Sequence, residues 1–172
     1  WTWERDTENF YSAFVEQLFL EPGDEDPTWS NLQELLREPS RNLLFDHRHL
    51  DEDTSLDLEP DCADLPYFLR AYFAWKVRLP FAWRQCRRGR DGRPPACEET
   101  PADQTTPIEA NSELEAFRRV MRVIARNVHS SSNRTVPQDE HSDVYPVPLT
   151  RDALRPGTIY ADPYGHILVL AG

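Results

Sequence analysis

Residues 63–77 limit the possible folds more than any other part of the sequence. Apolar side chains lie on nearly every side of a predicted helix here, and only Arg70 and Lys76 carry charge beyond its first turn. A helix that is apolar all round has to be surrounded by other elements of its domain. Pro66 fits only in the first turn, where its missing N–H is least costly. The sequence therefore predicts a buried central helix that begins close to Cys62.

Three further helices are predicted from the helical spacing of apolar residues. They cover about residues 7–20, 30–37 and 112–129. The last one opens with Ser112 and Glu115 at the spacing of a capping box. The acidic segment 46–61 has no periodicity, and we expect a loop that leads into the Cys62 segment.

The closing sequence LRPGTIYADPYGHILVLAG predicts a β-hairpin. A Pro-Gly turn precedes a strand at 158–161, and a second turn leads into a strand at 166–170. His166 begins this second strand. An earlier extended segment, 144–149, contains two prolines and is predicted to be an edge strand or a bent one.

The order of these elements predicts an α+β fold, with helices first and a small antiparallel sheet last. A length of 172 residues is typical of one domain. We expect a helical extension and acidic loop at 1–60 and a core at 61–172. The core would carry an irregular loop at 84–107, rich in Arg, Gly and Pro, and the helix at 112–129. The sequence stops while it still reads as strand, so we expect a C-terminal truncation.

The three cysteines divide unevenly. Cys86 and Cys97 flank a turn-rich sequence that a disulfide would close, which leaves Cys62 as the odd thiol. Such a pairing indicates an oxidising compartment, and we expect a periplasmic or secreted protein whose signal lies outside the given sequence. The alternative is two unrelated reduced cysteines.

Charge and hydropathy exclude two classes of partner. The formal net charge of −11 would repel a phosphate backbone, so we do not expect nucleic-acid binding. No apolar run approaches the roughly 20 residues of a membrane span, so we expect no transmembrane segment. The oligomeric state is left open by the sequence.

Cys62 and His166 supply the two groups that nucleophilic thiol catalysis requires. A helix N-terminus favours the thiolate, and a nearby imidazole can take and return the proton. Each residue also has an ordinary interpretation: a cysteine as a small core residue, and a histidine as a hydrogen-bonded structural or surface group. The hypothesis depends on the occurrence of both residues in these helix and hairpin contexts.

Asp61-Cys62 ahead of the central helix, followed late in the chain by a Pro-Gly turn, a strand and Gly-His, resembles the NlpC family of papain-like cell-wall peptidases and amidases. The resemblance implies a papain-like domain in which the buried Cys-bearing helix packs on a small antiparallel sheet. It implies that Cys62 is the nucleophile and His166 the general base and acid, with the Cys62 N–H helping to hold the oxyanion. It also implies a peptide or peptidoglycan fragment as substrate and no cofactor or metal.

The sequence departs from the family pattern in three ways. Ala63 and Asp64 stand where members commonly have Ser and Gly, and the chain between the cysteine and the histidine is longer than usual. The family's third polar residue has no counterpart within the sequence, and Asp162 is only a weak substitute. Two alternatives therefore remain: a non-catalytic envelope or interaction domain on the same scaffold, and a Cys-His acyltransferase with transglutaminase-like chemistry.

Two other motifs are short. His47 and His49, followed by acidic residues at 51–53, have the spacing that places two imidazoles on one face of a strand, as in some zinc sites. The segment lacks a separate third ligand, and a charged loop with two solvated histidines explains it equally well. Asn133 and Thr135 have the spacing of a glycosylation acceptor.

Overall fold

The structure is a computed structural model that describes residues 2–21, 27–103 and 110–172. Within these ranges the fold is α+β, with five α-helices, one 3-10 helix and three two-stranded antiparallel sheets. The helices are α1 (Arg5–Leu18), α2 (Leu32–Leu36), α3 (Glu52–Ser55), α4 (Leu65–Val77), α5 (Glu113–Asn127) and the 3-10 helix Ser130–Asn133. The strands are β1 (Ala82–Trp83), β2 (Cys86–Arg87), β3 (Ala96–Cys97), β4 (Ala102–Asp103), β5 (Ile159–Ala161) and β6 (Ile167–Val169).

Helix α4 is the buried centre of the fold, as its apolar sequence predicts. The ring of Phe14 in α1 stacks on Tyr72 of α4 at a centroid separation of 5.8 Å. On another side of α4, Trp75 stacks on Phe117 of α5 at 4.3 Å. Stacked aromatic pairs of this kind add to the free energy gained from burying their area. Helices α1 and α5 are thus held against the same central helix.

The predicted helices at 7–20, 30–37 and 112–129 are confirmed as α1, α2 and α5. The capping box of α5 is shifted by one residue. Ser112 Oγ accepts the N–H of Glu115 at 3.1 Å, as expected. The Glu115 carboxylate accepts the N–H of Asn111 at 3.0 Å, one residue before the N-cap. Both interactions satisfy backbone donors at the helix start.

The prediction of an unbroken loop at 46–61 is wrong, because this segment contains the one-turn helix α3. Glu52 and Asp53, which look like solvated loop residues in the sequence, are 0% and 1% exposed. They are buried because Lys76 of α4, itself 0% exposed, places its ammonium between their carboxylates. A buried charge requires such a partner.

The predicted irregular loop at 84–107 contains more order than expected. Strands β1 and β4 pair with each other, and β2 and β3 pair inside them. Cys86 and Cys97 lie opposite one another across the inner pair and form the expected disulfide. The last part of the predicted loop, 104–107, lies outside the described residues.

The predicted strand at 144–149 is wrong, since none of its residues is in a strand. Pro146 and Pro148 have no N–H to donate to a neighbouring strand, so the segment is unsuited to a regular ladder. The C-terminal hairpin is confirmed. Strands β5 and β6 pair antiparallel, with Tyr160 opposite Leu168.

The hairpin is attached to α1 through a close approach at Gly157. This glycine has φ +92°, and a Cβ there would lie 2.6 Å from Cε1 of Tyr11. Only glycine fits both the backbone conformation and the contact. Within the described ranges, no helix combines the length and the apolar character needed to cross a membrane.

Candidate active site

The thiol of Cys62 is free and exposed, in the turn that leads into α4. Asp61 shapes this turn. Its Oδ1 accepts the N–H groups of Ala63 at 2.8 Å and Asp64 at 2.9 Å, and its carbonyl accepts the N–H of Leu65 at 3.0 Å. These are the bonds of an N-cap residue, so Cys62 occupies the first position of a helical turn that extends α4 backwards. The positive end of the helix dipole therefore lies at the thiol.

A groove of about 310 Å³ opens beside Cys62. Its apolar walls come from Phe19, Leu65 and strand β6 with the residues after it. The structure thus brings together the two segments that the sequence singles out, the Cys62 turn and the strand that follows His166. An apolar groove of this size with a nucleophile at its edge can hold an apolar side chain of a ligand.

His166 lies immediately before β6 and is exposed. Ile167 is buried at 2% and Leu168 is 53% exposed, so His166 shares the outer face of the strand with Leu168. In the described part of the chain, no hydrogen bond joins the imidazole of His166 to the Cys62 thiol. The structure places the histidine next to β6, the strand that forms part of the groove wall.

Arg134 holds the turn that presents His166. Its guanidinium donates hydrogen bonds to the carbonyl oxygens of Asp162 and His166, the latter at 3.2 Å. The Oδ1 of Asp162 accepts the N–H of Tyr164 at 2.8 Å, so this carboxylate caps the turn. It forms no hydrogen bond with the His166 ring in the described residues. Sequence reasoning missed Arg134, because its two acceptors lie about 30 residues further along the chain.

Asp64 is a buried carboxyl two residues after Cys62. It is 5% exposed, and its Oδ1 has no hydrogen-bond partner among the described residues. Burial, reinforced by the nearby charge of Asp61, raises the pKa of Asp64 from 3.8 to about 6. The group therefore changes its charge near pH 6, two residues along the chain from the candidate nucleophile.

Tyr67 faces the interior and not the groove. It is 6% exposed, and its hydroxyl donates to the carboxylate of Asp143 at 3.2 Å. Burial raises the pKa of Asp143, although the N–H and guanidinium of Arg84 and the Tyr67 hydroxyl act in the opposite direction. These contacts tie the segment before the hairpin to α4 and to Arg84, the residue that follows β1. The role is structural.

The His47–His49 segment does not form a metal site. The Nδ1 of His49 is 3.5 Å from Asp46 Oδ2, whereas the carboxylates of Glu52 and Asp53 point inward to Lys76. Across residues 2–21, 27–103 and 110–172, no three His, Cys, Asp or Glu side chains are placed to hold a metal ion. The sequence spacing alone could not show that the acidic residues are engaged elsewhere.

Asn133 is an unsuitable glycosylation acceptor in the folded protein. It ends the 3-10 helix and is only 6% exposed. A glycan on its side chain would need room that a buried position does not offer.

Comparisons with known protein families, with curated proteins and with solved structures each returned no match to this chain.

Proposed function

We propose that the protein is a thiol-dependent amide hydrolase that acts through Cys62 and His166. The observation that carries the proposal is the position of the free Cys62 thiol, at the start of the α4 turn and beside strand β6, which His166 immediately precedes. The resemblance of these segments to NlpC-type peptidases points to peptidoglycan stem peptides as the substrate. The Cys86–Cys97 disulfide supports a periplasmic or secreted location.

The proposed reaction has two stages. The Cys62 thiolate attacks the amide carbonyl, and the C–N bond breaks as the His166 imidazolium protonates the leaving amine. Water then attacks the thioester carbonyl while neutral His166 removes its proton. The C–S bond breaks, which releases the acid and restores the Cys62 thiolate and the His166 imidazolium. The N–H of Cys62 is available to hydrogen-bond the oxyanion, since it lies at a helix start, where backbone N–H groups lack intrahelical partners.

This chemistry requires a hydrogen bond between His166 and the Cys62 thiol, which is absent from the described residues of the structure. The imidazole is exposed at the end of the groove wall, so a rotation of its side chain or a shift of the turn at 162–166 has to bring it to Cys62 when substrate binds. Catalytic hydrogen bonds are often longer in the absence of substrate. Arg134 limits the movement of this turn, because it holds two of its carbonyl oxygens.

A non-catalytic interaction domain is the second candidate. It is favoured by the absence of a Cys62–His166 hydrogen bond in the described residues. In this case the apolar groove would bind a peptide side chain without chemistry, and the thiol would react like that of an ordinary exposed cysteine. Acyl transfer instead of hydrolysis would use the same first stage, with an amine replacing water as the acceptor.

Thiol alkylation distinguishes an activated Cys62 from an ordinary one. We predict that iodoacetamide modifies Cys62 at pH 6 about tenfold faster, or more, than it modifies an unstructured peptide cysteine, because an unperturbed thiol with a pKa near 8.5 is almost fully protonated there. Mass spectrometry of the modified chain measures the rate. His166→Ala should abolish the acceleration, whereas the matched control His141→Ala, at another exposed histidine, should leave it unchanged.

Hydrolysis is then tested with purified peptidoglycan fragments, by detecting newly released amines. Cys62→Ala should remove all activity while the fold is retained, as judged by circular dichroism. An alkylation rate in the unmodified chain equal to that of the peptide cysteine would contradict the enzymatic proposal and favour the interaction domain.

A further inference from the structure

A second groove, of about 480 Å³, lies at the other end of α4. Its apolar surface includes Phe10 and Val77, and its basic residues include His47, His49 and Arg78. We call it the basic groove. None of the residues that line it is acidic. This composition is unusual for a chain with 30 acidic and 19 basic residues.

Part of the positive charge at the basic groove is uncompensated. Lys76 and Arg48 also line the groove, but Lys76 is neutralised by two buried carboxylates and Arg48 pairs with Glu113. The side chains of His47 and Arg78 are exposed and form no hydrogen bond or ion pair within the described ranges. Arg78 is free to pair with a ligand of opposite charge, and the His47 ring is free to hydrogen-bond one.

The backbone around the basic groove is held in an uncommon conformation. Five non-glycine residues in the described ranges have positive φ, and four of them lie in the groove or its supporting loop. They are Asp46 at 49°, His49 at 55°, Asp51 at 54° and Arg78 at 60°. Arg78 has this conformation as the C-cap of α4, where it is common. In the loop, such residues cost free energy and persist where the surrounding structure enforces them, which happens often at ligand-binding sites.

The buried charge cluster holds the loop at 46–50. Asp53 Oδ2 accepts the N–H of Asp46 at 2.6 Å. The carboxylate of Glu52 accepts the N–H groups of Arg48 at 2.9 Å and Leu50 at 3.0 Å. Replacing a buried ion pair by apolar residues is often neutral or stabilising, so stability alone does not account for the cluster. Its visible effect is to fix the loop that carries His47 and His49 over the groove.

We propose that the basic groove binds an anionic ligand in which a phosphate or carboxylate is joined to an apolar group. Arg78 and His47 would pair with the anion, and Phe10 and Val77 would contact the apolar part. The preformed loop lowers the entropy lost on binding, because it is already ordered. The groove is separated from Cys62 by the length of α4, about 20 Å at 1.5 Å per residue. The basic groove is therefore a separate site from the one at Cys62.

Binding is tested with three probes at one pH and ionic strength, by following the NMR signals of the His47 and His49 rings. Phenyl phosphate carries both features, inorganic phosphate only the anion and phenol only the ring. We expect phenyl phosphate to bind at least about tenfold more tightly than either of the others, since each lacks one of the two contacts. Replacing phenyl phosphate by benzoate distinguishes a phosphate site from a carboxylate site. Equal affinity for phenol and phenyl phosphate would overturn the proposal.

Variants at one position separate a site from general attraction to positive charge. Arg78→Gln should weaken the binding of phenyl phosphate about tenfold, the effect expected for the loss of one charge-assisted hydrogen bond. Arg78→Lys should recover part of the affinity. Arg126→Gln removes the same charge from an exposed position on α5 and should have no effect. If Arg78→Gln and Arg126→Gln weaken binding equally, or if neither does, no ligand site exists in the basic groove.

Discussion

The two ends of helix α4 differ in how buried charged groups are partnered. At its C-terminal end, Lys76 is fully buried between Glu52 and Asp53, and each carboxylate also accepts backbone N–H groups. At its N-terminal end, Asp64 is buried with one oxygen unpartnered in the described structure. Every buried charge at the first end is matched, whereas the buried carboxyl at the second end has one oxygen without a partner in the described residues. The first arrangement fixes a loop, and the second leaves a titratable group beside an exposed thiol.

The pKa values express this difference. Burial acts to raise the pKa of Glu52, but the hydrogen bonds from Lys76 and the backbone outweigh it and lower the pKa from 4.5 to about 2. The contribution of Glu52 to stability is therefore present above pH 4.5 and is lost as the pH falls towards 2. For Asp64, the stability changes with pH in the opposite direction. Its pKa is raised to about 6, so its ionisation in the folded state lowers the stability as the pH rises from 3.8 to about 6.

The largest expected effect on stability comes from removing the buried cation at the C-terminal end of α4. Lys76→Met leaves two buried carboxylates without their cation, and we predict a loss of about 3 to 5 kcal/mol in the free energy of unfolding at pH 7. Urea denaturation measures the loss. It should become smaller towards pH 4, where the carboxylates of the variant are protonated in the folded state.

A matched control for this variant lies on the same helix. Arg70 pairs with Glu8, and both side chains are partly exposed. Arg70→Met should therefore cost only about 1 kcal/mol, including the loss of the guanidinium contact with the Trp3 ring. Equal losses in the two variants would show that burial does not distinguish the two ion pairs.

At the N-terminal end of α4, removing a buried charge should increase the stability. Asp64→Asn keeps the shape of the side chain and removes the buried charge, so we predict a gain of about 1 to 3 kcal/mol at pH 7. At pH 4 the gain should disappear, because Asp64 is then protonated in the folded protein. Urea denaturation at both pH values tests this sign. A variant that is less stable than the natural chain at pH 7 would mean that the Asp64 carboxylate has a favourable partner.

The sequence predicted the parts of the molecule that depend on local patterns. Three features were predicted from residues that lie within about 20 positions of one another in the chain. They are the apolar helix α4, the Cys86–Cys97 disulfide and the turns around β5. The sequence could not predict which residues pair when they are far apart in the chain. Glu52 looks solvated until Lys76, 24 residues later in the chain, is placed against it.

The candidate site shows the same limit. Cys62 and His166 could be selected from their immediate contexts, and the structure brings their two segments to one groove. The sequence could not predict that the His166 side chain lies on the outer face of β6. Nor could it predict that Arg134 holds the turn, since arginine has no local pattern that indicates its acceptors.

The smallest expected effect on stability concerns the turn at the N-terminal end of α4. Asp61→Ala removes the acceptor for two N–H groups, and we predict a loss of about 1 kcal/mol in the free energy of unfolding. Asp61→Asn retains a capping oxygen and should be nearly neutral. It also removes the charge that acts on Asp64, so the pKa of Asp64, followed by NMR, should fall below its value of about 6 in the natural chain. An unchanged pKa in Asp61→Asn would assign the whole shift to burial, and the two ends of α4 would then differ only in their hydrogen-bond partners.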